Sequence, residues 1–179
     1  MSSEEKEKYR EVQTKDMTIT ALMAALVFVG TFFLKVSSPT GYIHLGDCMI
    51  LLTVCLFGWK KGAVAGAIGA GLADIAGGWV VWMVPTIFLK VMWAWVMGMV
   101  IEHVMKGRKF GWLVGAAAGA PLHILGYTVV RIFLYGKKTA ILEVLPLTVQ
   151  TLSGVVLCAV IYQEFKRGNV LEQLRTLNR

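Results

Sequence analysis

Six apolar runs separated by short polar breaks organise this chain. They predict helices over residues 17–36, 48–57, 62–76, 85–105, 111–134 and 140–165. The stretch before them, 1–16, is polar and charged. The stretch after them, 166–179, reads as a short amphipathic tail. Pro85 is expected in the first turn of the fourth helix, where its missing N–H costs nothing. The second and third runs are short for a full crossing of a bilayer core, which takes about 20 residues. Two loops carry few charges and several aromatic residues: SSPTGYIHLGD after the first run, and GGWVVW after the third.

Composition turns these helices into membrane spans. Of the 179 residues, 56% are hydrophobic and 16% charged, against about 45–50% and 25% in soluble domains. The reading is an all-α integral membrane protein, a six-helix transmembrane bundle, multi-pass in a bacterial plasma membrane. Its membrane domain spans 17–165. No cleavable leader is expected before the first span, because 1–16 lacks an apolar core.

The net charge of +7 reports topology rather than nucleic-acid binding. With six spans and both termini cytoplasmic, the inner segments hold Lys6, Lys8, Arg10, Lys15, Lys60, Lys61, Lys106, Arg108, Lys109, Lys166, Arg167, Arg175 and Arg179. Those are thirteen of the eighteen basic residues. The outer loops hold only Lys35, Lys137 and Lys138, and Lys90 and Arg131 fall within spans. This is a positive-inside distribution. Five spans would set Lys60 and Lys61 against the later basic break.

Ionisable side chains inside spans need a cavity or a partner. The fourth span carries Lys90 and Trp93, and the fifth carries His123, Tyr127 and Arg131. Asp74 lies near the outer end of the third span, with Glu143 and Gln150 on the sixth. Steps of four residues advance a helix by roughly 40° beyond a full turn, so His123, Tyr127 and Arg131 form one stripe. Its continuation is Gly119, Gly115 and Gly111, small residues that let helices approach closely. The loops add Tyr42, His44, Asp47 and Trp82. Together these residues predict an outward-facing pocket with aromatic walls and a few polar groups, suited to a small planar ligand. A structural alternative stands beside this for each residue. Arg131 could snorkel to headgroups, Lys90 could pair with Asp74 or Glu143, and Trp79 and Trp82 could be interfacial anchors. Of Trp93 and Trp95, one is expected to stack on a ring and the other to face lipid.

Several classes of chemistry lack their motifs. The sequence has no GxxxxGK[ST] loop, no HExxH or HxxxH, and no GxSxG. Cys48, Cys55 and Cys158 form no CxxC pair and read as small apolar packing residues. No catalytic residue, metal or cofactor is predicted, and the chain is not read as an enzyme.

The run from His44 to Gly98 contains HLGD, FG-x-x-x-G, LAD and PT-x-x-x-K in that order. It resembles the substrate-binding S components of energy-coupling factor (ECF) transporters. The nearest group is the one typified by hydroxymethylpyrimidine and pyridoxine uptake, whose members were often labelled riboflavin-type. The resemblance implies a subunit that binds a vitamin or precursor from outside. Its partners would be a transmembrane coupling subunit and two cytoplasmic ATPases that hydrolyse the ATP. It also implies that Ala21 and Ala25, with Ala24 beside them, dock on the coupling subunit, and that the outer loops close over the ligand. Spans one and three would offer a smooth small-residue face. An S component for riboflavin or another vitamin, a structural membrane protein and a channel are the alternatives.

Overall fold

The computed structural model describes residues 2–38, 40–168, 170, 171 and 173. Arg175 and Arg179, and most of the expected amphipathic tail, lie outside the described residues. Helix α1 (Ser3–Phe32) leads into a two-stranded antiparallel hairpin, β1 (Lys35–Ser38) and β2 (Gly41–His44), in which Ser37 faces Tyr42. Then follow α2 (Asp47–Phe57), α3 (Trp59–Ala76) and α4 (Val80–Met99), the last extended by a π-helical turn (Val100–Val104). Helices α5 (Gly111–Tyr135), α6 (Lys137–Leu142) and α7 (Val144–Arg167) complete the bundle.

Each predicted span contains a helix, with several changes of extent. The charged N-terminal segment is not a separate piece. Ser2 caps α1 by accepting the Glu5 amide, Glu5 returns a bond to the Ser2 amide, and the helix runs on unbroken into the first span. The first span ends at Phe32, and what was expected as its last turn is the hairpin's first strand. The fourth helix begins at Val80, so Pro85 lies inside it rather than in its first turn. The extra turn forms because Trp79 accepts from the Trp82 amide and Trp82 is pulled into the interior.

Four helical segments are long and apolar enough to cross a membrane: Ser3–Phe32, Val80–Val104, Gly111–Tyr135 and Lys137–Arg167. Helices α2 and α3 fall outside this set, as the short second and third runs led one to expect. Helix α2 has 11 residues, about 16 Å of rise. It is buried on nearly every face, from Asp47 to Val54, which is the pattern of a helix at the centre of a bundle. It packs against α1, α3, α4 and α7 and meets protein where a lipid-facing helix would meet tails.

The outside of the bundle is apolar, and a buried polar network lies beside its apolar core. Phe88, Phe133 and Leu145 are exposed, whereas Asp47 and Lys90 are fully buried. Glycines bring the helices into contact. On α3, Gly62 and Gly66 admit Val54 and Ile50 of α2, Gly69 admits Ala24 and Val27 of α1, and Gly71 admits Ile87 of α4. The small residues of α3 therefore turn inward, and its outer face is Val64, Ile68 and Leu72. The smooth outward face expected of this helix is absent. On α5 the ridge Gly111, Gly115 and Gly119 meets Met105, Met97 and Trp93, as its spacing predicts. The cysteines are free thiols, with Cys48 and Cys158 buried among packing residues.

Candidate substrate site

The hairpin is strapped across the top of the bundle by side chains from four helices. Tyr42 donates to Asp74 on α3 at 2.5 Å. The Trp82 indole on α4 donates to the Thr40 carbonyl at 3.0 Å, and Arg131 Nε on α5 donates to the Thr40 hydroxyl at 3.3 Å. From α7, Gln150 accepts the His44 amide at 3.3 Å. Beneath the hairpin lies a cavity of about 30 Å³ lined by Thr31, Gly41, Tyr42, His44, Asp74, Trp82, Thr86, Tyr127, Arg131, Leu147 and Gln150. That is room for roughly one water. Trp82 and Tyr127 wall one side with ring centres 5.7 Å apart, and the Arg131 guanidinium lies 5.0 Å over Trp82.

Under the cavity sits a closed polar network. Lys90 donates to Asp47 Oδ1 at 2.5 Å, and Gln150 Nε2 donates to Asp47 Oδ2 at 2.8 Å. Lys90 also contacts His123 Nε2 at 2.9 Å, and His123 Nδ1 lies 3.0 Å from the Thr151 hydroxyl, which itself donates to the Leu147 carbonyl. One tautomer satisfies every contact: Nε2 accepts from Lys90 and Nδ1–H donates to Thr151. Trp93 packs at a tilt against His123, ring centres 4.3 Å apart, and donates to the Ala116 carbonyl. Asp47 opens α2, so the helix dipole supports its negative charge as well.

Of the twelve residues expected at the site, seven line the cavity: Tyr42, His44, Asp74, Trp82, Tyr127, Arg131 and Gln150. Asp47, Lys90, Trp93 and His123 form the network below it. Glu143, at the junction of α6 and α7, is buried and acts on Arg131 electrostatically without lining the cavity. Lys90 pairs with Asp47, not with Asp74 or Glu143. Trp82 is buried, half-buried Trp79 packs near Tyr42, Trp93 is fully enclosed and Trp95 is exposed. Sequence reading missed Thr31, Thr40, Thr86 and Thr151. Only Thr86 had a signal, lying four residues before Lys90 and so on the same face of α4.

His44 lies on the hairpin, outside the helices. Burial pushes its pKa down to about 4, against a smaller opposing pull from Asp47. The geometry agrees, because the Gly46 amide donates to Nδ1 at 3.2 Å and leaves no place for a second ring proton there. A lowered folded-state pKa means the unfolded chain takes up the proton first. The His44 contribution is thus complete above about pH 6.5 and lost as the pH falls toward 4. Melting temperatures measured across that window are expected to fall for the wild type, and less steeply for His44→Gln.

A shallow apolar groove of about 1160 Å³ runs along α1 and α3, past Ala21, Ala25, Phe28, Val64, Ile68 and Leu72. The Asp16–Lys61 ion pair, at 2.7 Å, closes one end. Ala21 and Ala25 are exposed, whereas Ala24 turns inward against Met23 and Ala65.

Residues 11–167 match the family described as "ECF-type riboflavin transporter, S component". The chain belongs to the ECF transporter S-component family. A protein of Pyrococcus woesei, described as "Uncharacterized protein in gap 3'region", is 33% identical over 135 residues, covering 73% of this chain and 88% of its own. The S component is thus a membrane protein and a substrate-binding subunit of an ECF importer. Its family is one of transporter subunits, not of enzymes, and implies a vitamin substrate and ECF partner subunits. The motifs that carried the resemblance now have physical roles. HLGD supplies the His44–Gly46 turn and Asp47, LAD supplies the Tyr42 acceptor, and PT-x-x-x-K supplies Thr86, which accepts from Tyr127, and Lys90. In FG-x-x-x-G, Gly58 takes φ +90° between α2 and α3, and Gly62 is the close approach to Val54.

Proposed function

We propose that this S component binds a single-ring vitamin or precursor, of the hydroxymethylpyrimidine or pyridoxine kind, in the cavity beneath the hairpin. The observation that carries this reading is the small cavity itself, with aromatic walls and a mixed set of hydrogen-bonding groups. One ring can enter by displacing the hairpin over a fixed floor. A three-ring flavin would also have to displace the buried Asp47–Lys90 pair or the packed rings of Trp82 and Tyr127. Riboflavin remains the second reading because the family description names it.

In this proposal the hairpin side faces out of the cell and both termini face the cytoplasm. The basic breaks at Lys60, Lys61, Lys106, Arg108 and Lys109 support that orientation. Ala21 and Ala25, exposed along the α1–α3 groove, are the surface for a transmembrane coupling subunit whose two ATPases supply the energy.

The test is a thermal-shift titration of the detergent-purified protein with hydroxymethylpyrimidine, pyridoxine and riboflavin, alongside mass spectrometry of any co-purifying compound. A ligand at a hundred times its Kd stabilises by about 2.7 kcal/mol, several degrees of melting temperature. A shift with one of the single-ring compounds is expected. A shift with riboflavin alone, or with none of the three, would overturn the proposal.

A further inference from the structure

Thr31 on α1 has a buried hydroxyl that the fold leaves without a partner. The residue is 1% exposed and lines the cavity, and its Oγ1 makes no hydrogen bond among the described residues. Its helical context makes this unusual. Seven other helical threonines, at positions 14, 18, 20, 53, 128, 148 and 151, donate to the carbonyl four residues earlier at 2.6–2.9 Å. Thr31 does not take that bond. A Cβ on Gly46 would run into its Oγ1, so glycine is what lets the loop pass the hydroxyl. An unpaired buried hydroxyl costs about 1–3 kcal/mol, and a buried orphan polar group calls for an explanation.

We propose that Thr31 is a substrate-contacting residue whose hydroxyl is satisfied by a polar group on the bound ring. This rests on the cavity being the substrate site. A hydroxyl both donates and accepts, so the complementary group is a ring hydroxyl, an exocyclic amine or a ring nitrogen. Among the described residues, two further unpartnered atoms belong to residues lining the same cavity: Arg131 Nη1, which donates only, and Asp74 Oδ2, which accepts when the carboxylate is ionised. The substrate class is therefore a ring with an acceptor for Arg131, a donor for Asp74 and a separate polar substituent for Thr31. Helix α1 touches the substrate with its inner face and carries Ala21 and Ala25 on its outer one.

Two variants separate contact from structure. Thr31→Val keeps the shape and removes the hydroxyl, and Thr31→Ser keeps the hydroxyl. With pyridoxine, hydroxymethylpyrimidine and riboflavin as probes, Thr31→Val is expected to weaken whichever binds by roughly three- to tenfold, the value of one neutral hydrogen bond. Thr31→Ser is expected to bind within about twofold of wild type. Without ligand, Thr31→Val is expected to melt at or above the wild-type temperature, because it removes a polar group with no partner. Wild-type affinity in Thr31→Val would overturn the inference, as would a lower ligand-free melting temperature, which would give the hydroxyl a structural role. If no probe shifts the wild type, the substrate reading fails, and the ligand-free comparison still decides: a destabilised Thr31→Val overturns the inference.

Discussion

Lys90→Met is expected to cost about 3–5 kcal/mol of stability, the toll of leaving one member of a buried ion pair without its partner. Both side chains of the pair are fully buried. Asp47 would keep the Gln150 donor, at 2.8 Å, but lose its only close cation among the described residues. His123 would lose the donor to Nε2, and Tyr127 a cation 5.2 Å from its ring. Methionine matches lysine in length, so packing changes little and the loss is electrostatic. Adding Asp47→Asn to Lys90→Met removes the stranded charge and is expected to recover part of the loss. The double variant should therefore melt above Lys90→Met alone, a non-additivity typical of groups in one network. Tryptophan fluorescence on heating reads this directly. A Lys90→Met protein that melts with the wild type would show that the pair does not hold α2 to α4.

The same pair marks the limit of what the sequence made legible. That Lys90, Asp74 and Glu143 could not face lipid followed from the cost of a charge in hydrocarbon, whereas Asp47 was expected in a loop. Which acid Lys90 meets did not follow, because that depends on how α2 sits against α4. The periodic stripe His123, Tyr127, Arg131 was readable, since spacing of four fixes a helical face whatever its neighbours. Depth along the stripe was not: Tyr127 and Arg131 line the cavity, whereas His123 belongs to the floor. The α5 glycine ridge was readable for the same reason as the stripe. The smooth face expected of span three was not legible, because pattern alone cannot tell a helix with three protein neighbours from one with a smooth side to lipid. The hairpin was hidden in a loop whose strands have four residues each. It is held by Tyr42, Thr40 and His44 reaching other elements, contacts without a sequence signature. The family motifs cover both levels, since HLGD, LAD and PT-x-x-x-K are distant in sequence and meet around one cavity and its floor.

Arg131→Lys is expected to weaken substrate binding by about tenfold or more while leaving the ligand-free melting temperature within a few degrees. Arg131 is 5% exposed, its guanidinium lies 5.0 Å over the Trp82 ring with Nε on Thr40, and Nη1 has no hydrogen bond among the described residues. A hydrogen bond from a charged donor is worth about 1.5–3 kcal/mol, and the free Nη1 is the donor a substrate acceptor would use. Lysine keeps the positive charge that faces buried Glu143 but loses the planar fork and the stacking surface. Arg131→Met separates the two contributions. It removes every donor, where lysine keeps an ammonium outside the guanidinium's fork, and it also removes the positive charge near buried Glu143, so it is expected to lose affinity and melting temperature together. Thermal-shift titrations of both variants with pyridoxine and hydroxymethylpyrimidine measure the affinity, and ligand-free melts measure the fold. If Arg131→Lys bound as tightly as wild type, the guanidinium would only latch the hairpin through Thr40. A fall in affinity with an intact ligand-free melt instead places Arg131 on the substrate, where its unpartnered nitrogen has a reason to be buried.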